Sequence, residues 1–380
     1  MRLYEFEGTQ LFQREGISVP NYSLVMSPEE AREKAQEIGF PVVIKAQVLT
    51  GGRYLAGGVQ TARTPDEAEQ ASARILGSSI RGLPVGKVMV TRQLNIVAEY
   101  FLAITVDDYY GTPVAILSPE GGVSVNKTAW ERPESIVTRP ISIKKGFTPE
   151  AVKKMCREVG LKGKEANRIT EIMLALYSVF SNYDALIAEI NPLVRTTDGE
   201  YIALDSKVEL DDSGLFRHTE LEFNRSERVH NLLERKGREI GVSYVELDGD
   251  IAIIASGAGL GMASMDIVGR KMRPANFLET GGAITADLLY NVMDLVLQKK
   301  GIRAVFINVY GGINPIHEGA KGVIRYMQEH GITIPVVAKA LGNHQEETWG
   351  IFRSHGVHVV NDVSTESGVE LLARLLEGGE

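Results

Sequence analysis

The segment "IAIIASGAGLGM", Ile251–Met262, shows most directly how the second half of the chain folds. A short apolar run passes straight into a glycine-rich turn, which is typical of a buried strand followed by a helix. Short buried strands that alternate with helices predict a parallel, doubly wound α/β sheet. Four further apolar runs, each with a helix-length segment behind it, extend the pattern: "ANFLET" (275–280), "RAVFINVY" (303–310), "TIPVVAKA" (333–340) and "VHVV" (357–360).

Glycine-rich segments lie where these predicted strands end, at 256–259, 281–282 and 311–312. Ligands of doubly wound sheets bind at the carboxyl ends of the strands, and backbone N–H groups ahead of a helix suit a carboxylate or phosphate. Tight turns between strand and helix need glycine in any case, so both interpretations stay open. A nicotinamide dinucleotide fits poorly, because the third glycine comes one position early and Met262 stands where the fingerprint needs glycine.

The first part of the chain has a different pattern, which mixes antiparallel hairpins with flanking helices. Three helices are predicted to begin at an N-cap hydroxyl that precedes a proline and an acidic residue, at Ser27, Thr64 and Thr148. The other main elements are an amphipathic helix over 169–180, the strands 184–190 and 201–205 joined by "RTTDGE", and a charged helical connector over 225–241.

Length and composition narrow the functional class. The 380 residues, 44% hydrophobic and 24% charged, are typical of a globular protein with two domains. A net charge of -8 disfavours a nucleic-acid-binding protein, because no cationic surplus exists to neutralise phosphates. The single cysteine, Cys156, excludes intramolecular disulfides and cysteine-rich metal sites. Since no signal peptide or membrane-spanning apolar run is present, we expect a cytoplasmic protein without a membrane partner.

A strand-end lysine precedes a glycine loop in "VVIKAQVLTGGRYLAGG", Val42–Gly58. Backbone N–H groups that approach closely, together with the point charge of Lys45, suit a phosphate chain. The segment is not a P-loop, because its lysine comes before the glycines. A glycine-rich hairpin with a solvated lysine is the alternative.

A second polar group lies in "AEINPLV" and "LDSK". Glu189 and Asn191 share one strand face, and Asp205 lies on the strand predicted to face them, two residues before Lys207. A carboxylate and an amide oxygen fit the oxygen ligands that Mg²⁺ prefers. A polar, solvated sheet face is the alternative, although burying such groups without partners would be costly.

Eight motifs along the chain resemble the β subunit family of succinyl-CoA synthetase (succinate–CoA ligase). They are "YEFEGTQLFQREGISVP", "VIKAQVLTGGR", "SPEGGVSV", "AEINPLV", "LFRH", "GAGLGMASMDIV", "PANFLETGG" and "NVYGGI". The resemblance implies an N-terminal ATP-grasp domain of two α+β subdomains over 1–240, with the inserted one at about 21–105. It implies a flavodoxin-like ligase domain over 245–380.

The resemblance also implies a role for specific residues. The nucleotide, ATP or GTP, would contact Lys45, the loop positions Gly52, Arg53 and Tyr54, and Glu99. Mg²⁺ would be held by Asn191 and Asp205, and Glu189 would help to receive a phosphorylated histidine. The acid substrate would lie near Ser256, Gly312, Ile313 and Asn314.

The family reaction needs a partner α subunit, which carries the phosphohistidine and most of the CoA site. None of the seven histidines of this chain lies in the G-H-A-G setting of the partner. The resemblance therefore implies a β subunit that is active only with an α subunit, CoA and a small carboxylic acid.

The sequence departs from the family pattern at both implied sites. Tyr54 and Leu55 replace a Gly-Lys pair, Thr91 replaces glutamate, Ser256 replaces asparagine and Glu279 replaces aspartate. These changes leave open a different acid, such as malate, citrate or a hydroxy acid, and a non-catalytic paralogue that only scaffolds an α subunit. A self-sufficient carboxylate–amine ligase is a third alternative, which the flavodoxin-like half disfavours.

Restoring the family residues in the glycine loop should tighten nucleotide binding. The double substitution Tyr54→Gly with Leu55→Lys returns a cation above the phosphates and removes a β-carbon from a position where glycine tolerates any backbone angle. Calorimetric titration with the nucleotide measures the effect, and an unchanged affinity would contradict this account of the loop.

Overall fold

The computed structural model describes residues 1–122, 130–221, 223, 228–229, 231–282 and 284–378. Val123–Val125 of "SPEGGVSV", and residues 225–227 and 230 of the charged stretch, lie outside the described residues. The chain divides into two compact units, Met1–Phe223 and Asn224–Glu380. Among the described residues, none of the helices combines the length and apolar character that crossing a bilayer requires.

The larger sheet of the first unit is antiparallel, with the order β11-β10-β7-β8-β9 and with β12 paired to β10. Its strands are β7 (Ile96–Asp107), β8 (Thr112–Ser118), β9 (Val137–Pro140), β10 (Ala185–Thr196), β11 (Tyr201–Ala203) and β12 (Lys207–Leu210). The helices whose apolar side chains cover it are α1 (Glu5–Arg14), α4 (Pro149–Glu158) and α5 (Gly163–Asn182). Short 3₁₀ turns occur at Pro133–Ser135 and Leu215–Arg217.

The predicted hairpin around "RTTDGE" is confirmed, because β10 and β11 pair antiparallel with Arg195 opposite Tyr201. The apolar face predicted for 169–180 is also confirmed, since Ile169, Met173 and Leu176 of α5 are fully buried in the core of this unit. A two-layer core of this kind needs apolar residues at helical spacing on the helix and at alternating positions on the facing strands.

The smaller sheet of the first unit has the order β1-β6-β2-β3. It comprises β1 (Tyr22–Val25), β2 (Val42–Ala46), β3 (Val59–Ala62) and β6 (Val88–Arg92), beside a two-stranded ribbon of β4 (Ser79–Ile80) and β5 (Leu83–Pro84). Helices α2 (Pro28–Ile38) and α3 (Pro65–Leu76) pack on this sheet through alanine and isoleucine side chains.

The three predicted helix starts are confirmed. The hydroxyls of Ser27, Thr64 and Thr148 each accept a hydrogen bond from the backbone N–H three residues later, which satisfies a donor that the helix itself leaves unpaired. Strand β7, which the sequence placed within the 21–105 insert, belongs to the larger sheet instead. Its Leu102 and Ile104 are fully buried in the core under that sheet.

The second unit has the doubly wound α/β topology that the sequence predicted. Its sheet has the order β13-β15-β14-β16-β17-β18, in which β13 is antiparallel and the others are parallel. Without the antiparallel edge strand this is the flavodoxin-like order 2-1-3-4-5. The strands are β13 (Ser243–Glu246), β14 (Ile251–Ala255), β15 (Asn276–Glu279), β16 (Ala304–Gly311), β17 (Val336–Gly342) and β18 (His358–Val360).

Helices cover both faces of this sheet, which explains why its strands are almost continuously apolar. The helices are α6 (Leu232–Glu239), α7 (Ala258–Gly269), α8 (Ala286–Leu297), α9 (Ile316–His330), α10 (Gln345–Arg353) and α11 (Thr365–Glu377). Side chains of α8 and α9 pack against one face, and side chains of α7 and α11 pack against the other. The α8–α9 contact is close enough to need glycine at position 322, where a Cβ would lie 1.9 Å from the backbone oxygen of Ala286.

Substituting alanine for this glycine should therefore destabilise the second unit. We expect Gly322→Ala to cost roughly 2–4 kcal/mol, because the two helices must separate to admit the methyl group. Gly350→Ala in α10 is the matched control, since a Cβ there meets nothing within 4 Å, and it should be neutral or stabilising by up to about 1 kcal/mol. Urea denaturation of both variants measures the difference, and equal midpoints would contradict this description of the packing.

Candidate active site

Lys45 links the smaller sheet of the first unit to elements of the larger one. It lies near the end of β2, whose alternating pattern buries Val42, Ile44 and Ala46 and turns Lys45 to the opposite face. Its Nζ donates to Glu5 Oε1 over 2.8 Å and also to the backbone oxygen of Leu204. The predicted strand-end lysine is therefore held at a defined position between two parts of the fold and is not a freely solvated side chain.

Glu5, which the sequence reading did not single out, is the centre of this polar cluster. Its side chain is 2% exposed and forms ion pairs with Lys45 and Arg53, and it accepts a further hydrogen bond from Gln47 Nε2 over 3.3 Å. Burial alone would raise the pKa of Glu5, but the charges of Arg53 and Lys45 outweigh that effect and lower it to about 2. A buried carboxylate that stays ionised is thus the anchor for two cations.

Arg53 joins Glu5 to Asp205. One guanidinium nitrogen of Arg53 binds Glu5, and the other lies 2.8 Å from Asp205 Oδ1. Burial disfavours the charge of Arg53, but Asp205 and Glu5 more than compensate and raise its pKa further. Burial raises the pKa of Asp205, Arg53 opposes this rise and Glu5 adds to it. Because 39% of the Asp205 side chain is still exposed, water limits the size of the pKa change.

Asn191 and Asp205 lie opposite each other on neighbouring segments of the larger sheet. The register that pairs Leu193 with Ala203 and Glu189 with Lys207 places Asn191 across from Asp205. The structure therefore brings together the two residues for which the resemblance implied metal binding.

Glu99 approaches the same region through the turn at 121–122. The N–H of Gly121 donates to the backbone oxygen of Glu99 over 3.0 Å, and the N–H of Gly122 donates to Asn191 Oδ1 over 2.7 Å. A Cβ at Gly122 would lie 2.4 Å from Glu99 Oε2, and its φ of +83° also favours glycine. Glycine at this turn thus lets the Glu99 carboxylate and the Asn191 amide approach one backbone segment.

Glu189 lies two residues before Asn191 and faces Lys207 across the β10–β12 ladder. Glu189 Oε2 and Lys207 Nζ are 3.1 Å apart. The side chain of Glu189 is 19% exposed, so its carboxylate is mostly shielded but can be reached from solvent. The ion pair gives Glu189 a charged partner among the apolar residues of "AEINPLV".

The glycine loop holds Arg53 inward and leaves Tyr54 and Leu55 outward. Gly52 has a φ of +72°, and the N–H of Gly58 donates to the backbone oxygen of Arg53 over 2.8 Å, which closes the loop into a tight turn. Tyr54 is 66% exposed and Leu55 73% exposed. Of the loop positions predicted to contact nucleotide, only Arg53 is brought to Lys45 and Asp205.

Thr91, where the family pattern has glutamate, is buried in β6. Thr91 is 2% exposed, and its Oγ1 has no hydrogen-bond partner among the described residues. Burying an unpaired hydroxyl has a free-energy cost. A polar ligand group that reached this hydroxyl would remove the cost.

The oxygen donors at Asn191 and Asp205 match the chemistry of a divalent cation. Asp205 Oδ1 accepts from Arg53 and from its neighbour Ser206 N, and no hydrogen bond to Asp205 Oδ2 is formed among the described residues. One carboxylate oxygen and one amide oxygen are hard ligands of the kind that Mg²⁺ uses alongside water and phosphate. Asn191 and Asp205 therefore fit a bound Mg²⁺.

The predicted acid-binding residues meet at the carboxyl edge of the sheet in the second unit. Ser256 Oγ accepts from the N–H of Tyr310 over 2.8 Å, which ties the end of β14 to the end of β16. A Cβ at Gly282 would lie 3.6 Å from the amide nitrogen of Asn314, so the 281–282 turn and the 312–314 loop are neighbours. Ile313 is 90% exposed, and the loop therefore presents an apolar side chain to solvent between Gly312 and Asn314.

Comparisons with known families match both parts of the chain. Residues 2–195 match the ATP-grasp domain family, and residues 254–370 match the CoA-ligase family. The chain is 43% identical over 360 residues to the Succinate--CoA ligase [GDP-forming] subunit beta of Thermus thermophilus, covering 94% of this chain and 95% of the relative. It is 36% identical over 374 residues to the Succinate--CoA ligase [ADP-forming] subunit beta of Ignicoccus hospitalis, covering 98% and 99%.

A solved structure shares the whole fold. The ATP citrate lyase from Methanothrix soehngenii, in complex with citrate and coenzyme A, superposes with a TM-score of 0.80 and covers 99% of both chains. At 18% sequence identity this similarity shows the fold alone. Together the findings confirm the fold class and the resemblance: the chain belongs to the succinate–CoA ligase β-subunit family of acid–CoA ligases.

Removing the charge of Glu5 should destabilise the first unit at neutral pH. Glu5→Gln leaves Lys45 without its carboxylate and Arg53 with one partner, which we expect to cost roughly 2–4 kcal/mol. Because folding lowers the pKa of Glu5 from 4.5 to about 2, the carboxylate stabilises the fold above about pH 4.5, and this contribution is lost as the pH falls through about 2.

Urea denaturation as a function of pH tests both parts of this expectation. The difference between wild type and Glu5→Gln should shrink as the pH falls from 4.5 towards 2. Glu15→Gln at the end of the same helix is the control, because an amide oxygen can still accept the hydrogen bond that Glu15 receives from Asn182. A difference that stayed constant over this pH range would argue against an ionised Glu5.

Proposed function

We propose that this chain is the nucleotide-binding β subunit of an acid–CoA ligase that exchanges phosphate between a nucleoside triphosphate and a histidine of a partner α subunit. The observation that carries the proposal is the ion pair of Arg53 with Asp205, next to the contact of Lys45 with the backbone oxygen of Leu204 and with Asn191 on the facing segment. A polyphosphate requires such a combination of fixed cations and oxygen donors. The proposal assigns nucleotide binding to residues 1–240 and the acid–CoA step to residues 245–380.

In this proposal the cations of the first unit hold the phosphate chain. Lys45 is a point charge at the end of β2, and its contacts to Glu5 and Leu204 fix its position before a phosphate binds. Fixed charges stabilise a transition state without reorganising at the moment of reaction. Gly52 and Tyr54 would contribute when the glycine loop covers the nucleotide.

Asn191 and Asp205 would hold the cation. Mg²⁺ bound there would neutralise charge that develops on the β- and γ-phosphates. Arg53 binds Asp205 Oδ1, so Oδ2 would be the oxygen available to a metal. Glu99, held beside Asn191 by the Gly122 turn, would border the nucleotide pocket.

Glu189 would receive the partner's phosphohistidine. Its ion pair with Lys207 orients it on the same strand as Asn191. A carboxylate near an imidazole can accept its ring N–H and so make the other ring nitrogen a better nucleophile towards phosphorus. An acyl phosphate formed from that histidine would then give acyl-CoA, or the cycle would run in reverse.

The acid substrate would lie at the carboxyl edge of the second unit, near Ser256 and the loop Gly312–Asn314. Backbone N–H groups at a strand end ahead of α9 suit a carboxylate. Succinate is the acid of the family name, and the shorter side chain at Ser256 makes malate, citrate or a hydroxy acid the alternative. The relatives include both ADP- and GDP-forming ligases, so either nucleotide fits the family.

Phosphate transfer to the partner tests this proposal. The chain, mixed with its α subunit and with nucleotide labelled in the γ-phosphate, should label a histidine of the α subunit, and chelation of Mg²⁺ should abolish labelling. Absence of labelled histidine under any nucleotide would favour a scaffold that only binds the α subunit.

A single substitution tests Asp205, which would hold the metal and which also pairs with Arg53. Asp205→Asn should lower the labelling rate by roughly 100-fold or more, because it removes one of the two proposed metal ligands. Asp198→Asn, in the exposed β10–β11 turn, is the matched control and should leave the rate unchanged. Equal rates for the two variants would exclude Asp205 as a metal ligand.

A further inference from the structure

Three metal-binding side chains meet outside the sites described above, at the carboxyl edge of the second sheet. His317 lies in the first turn of α9, and His344 and Glu347 lie at the beginning of α10. One ligand atom from each of them lies within 4.8 Å of the others. His344 Nδ1 is 3.3 Å from Glu347 Oε2, and His317 Nδ1 is 4.0 Å from the same oxygen.

His317 is oriented as a metal ligand would be. Its side chain is 13% exposed, and its Nδ1 is buried without a hydrogen-bond partner among the described residues. The other ring nitrogen, Nε2, lies 3.0 Å from Glu318 Oε1, and Glu318 is itself 2.6 Å from Lys321 Nζ. Metal-bound histidines normally give their second ring nitrogen to a carboxylate in this way, which directs the lone pair of the first towards the metal.

His344 completes the arrangement from a strained backbone position. Its φ of +59° and ψ of +33° are left-handed, which is uncommon for a residue with a side chain. The ring of His344 lies beside that of His317, with centroids 4.6 Å apart. The buried, unpaired nitrogen of His317 has a free-energy cost, which a cation bound by both imidazoles would remove.

We propose that His317, His344 and Glu347 bind a divalent transition-metal cation, with Zn²⁺ the best match. Two imidazole nitrogens and one carboxylate oxygen form the ligand set of zinc sites that keep a fourth position for water. Mg²⁺ and Ca²⁺ prefer oxygen ligands alone. Bonds of about 2.0–2.1 Å in a tetrahedron place ligand atoms roughly 3.3 Å apart. The ligand atoms lie within 4.8 Å of one another, and the half-exposed side chains of His344 and Glu347 can close that difference on binding.

The cation would join two strand-to-helix turns. The N–H of Asn343 donates to the backbone oxygen of Gly311 over 2.7 Å, and its side-chain amide donates to the backbone oxygen of Ile313 over 3.2 Å. A metal bound by His317 and His344 would add a further link between these two turns. Its effect on the loop Gly312–Asn314 as an acid-binding element rests on the function proposed above.

Titration of the full chain with ZnCl₂ tests the site, in millimolar Mg²⁺ so that the oxygen-donor site of the first unit does not compete. We expect one Zn²⁺ per chain by calorimetry, and Co²⁺ should give the visible absorption of a tetrahedral site. His344→Asn keeps a residue that tolerates the left-handed backbone, and Glu347→Gln keeps the size of the side chain. Each should weaken binding by about tenfold or more.

His358→Asn is the matched control, since His358 is exposed on β18, and it should bind Zn²⁺ as the wild type does. Thermal unfolding of each variant without metal establishes that it is folded, and Zn²⁺ should raise the Tm of the wild type and of His358→Asn only. Absence of stoichiometric binding, or equal affinities for His344→Asn and His358→Asn, would overturn the proposal. These measurements need no α subunit, nucleotide or CoA, so their outcome is independent of whether histidine labelling succeeds.

Discussion

The buried carboxylate of Glu5 is the interaction on which the first unit depends. It binds Lys45 from the smaller sheet and Arg53 from the glycine loop, and Arg53 in turn binds Asp205 beside the larger sheet. Neither cation could be buried to this extent alone, because an unpaired charge in the interior is strongly disfavoured. One side chain of helix α1 thus fixes the relative positions of a loop, a strand end and a carboxylate that come from distant parts of the chain.

This arrangement also organises the electrostatics of the candidate active site. The cations are held by hydrogen bonds within the protein, and the oxygen donors at Asn191 and Asp205 lie on facing segments of the sheet. Preorganised charges of this kind are the main contribution a protein makes to phosphoryl transfer. Glycine at position 122 also contributes to this arrangement, because it allows the Glu99 carboxylate and the Asn191 amide to approach one turn.

In the second unit, close backbone contacts position the strand-end turns, whereas buried charges position the corresponding residues of the first unit. A Cβ at Gly311 would lie 2.2 Å from the side chain of Ile316, and one at Gly342 would lie 2.3 Å from the backbone oxygen of Gly311. Glycine at these strand ends lets two turns pack against each other at the carboxyl edge. The same closeness brings His317 of one turn and His344 of the next into contact.

Periodicity, capping and turn residues in the sequence determined the two fold classes, the three proline-initiated helices and the β10–β11 hairpin, because each depends on neighbours within a few residues. The motifs also singled out Lys45, Asn191 and Asp205 as candidate site residues. The tertiary structure alone identified Glu5, whose partners are 40 and 48 residues away, and the His317–His344–Glu347 cluster. It also showed that Tyr54 faces solvent and that β7 belongs to the larger sheet. Such features arise when elements far apart in the chain pack together. A local sequence pattern does not determine which distant charge or ring a residue will contact.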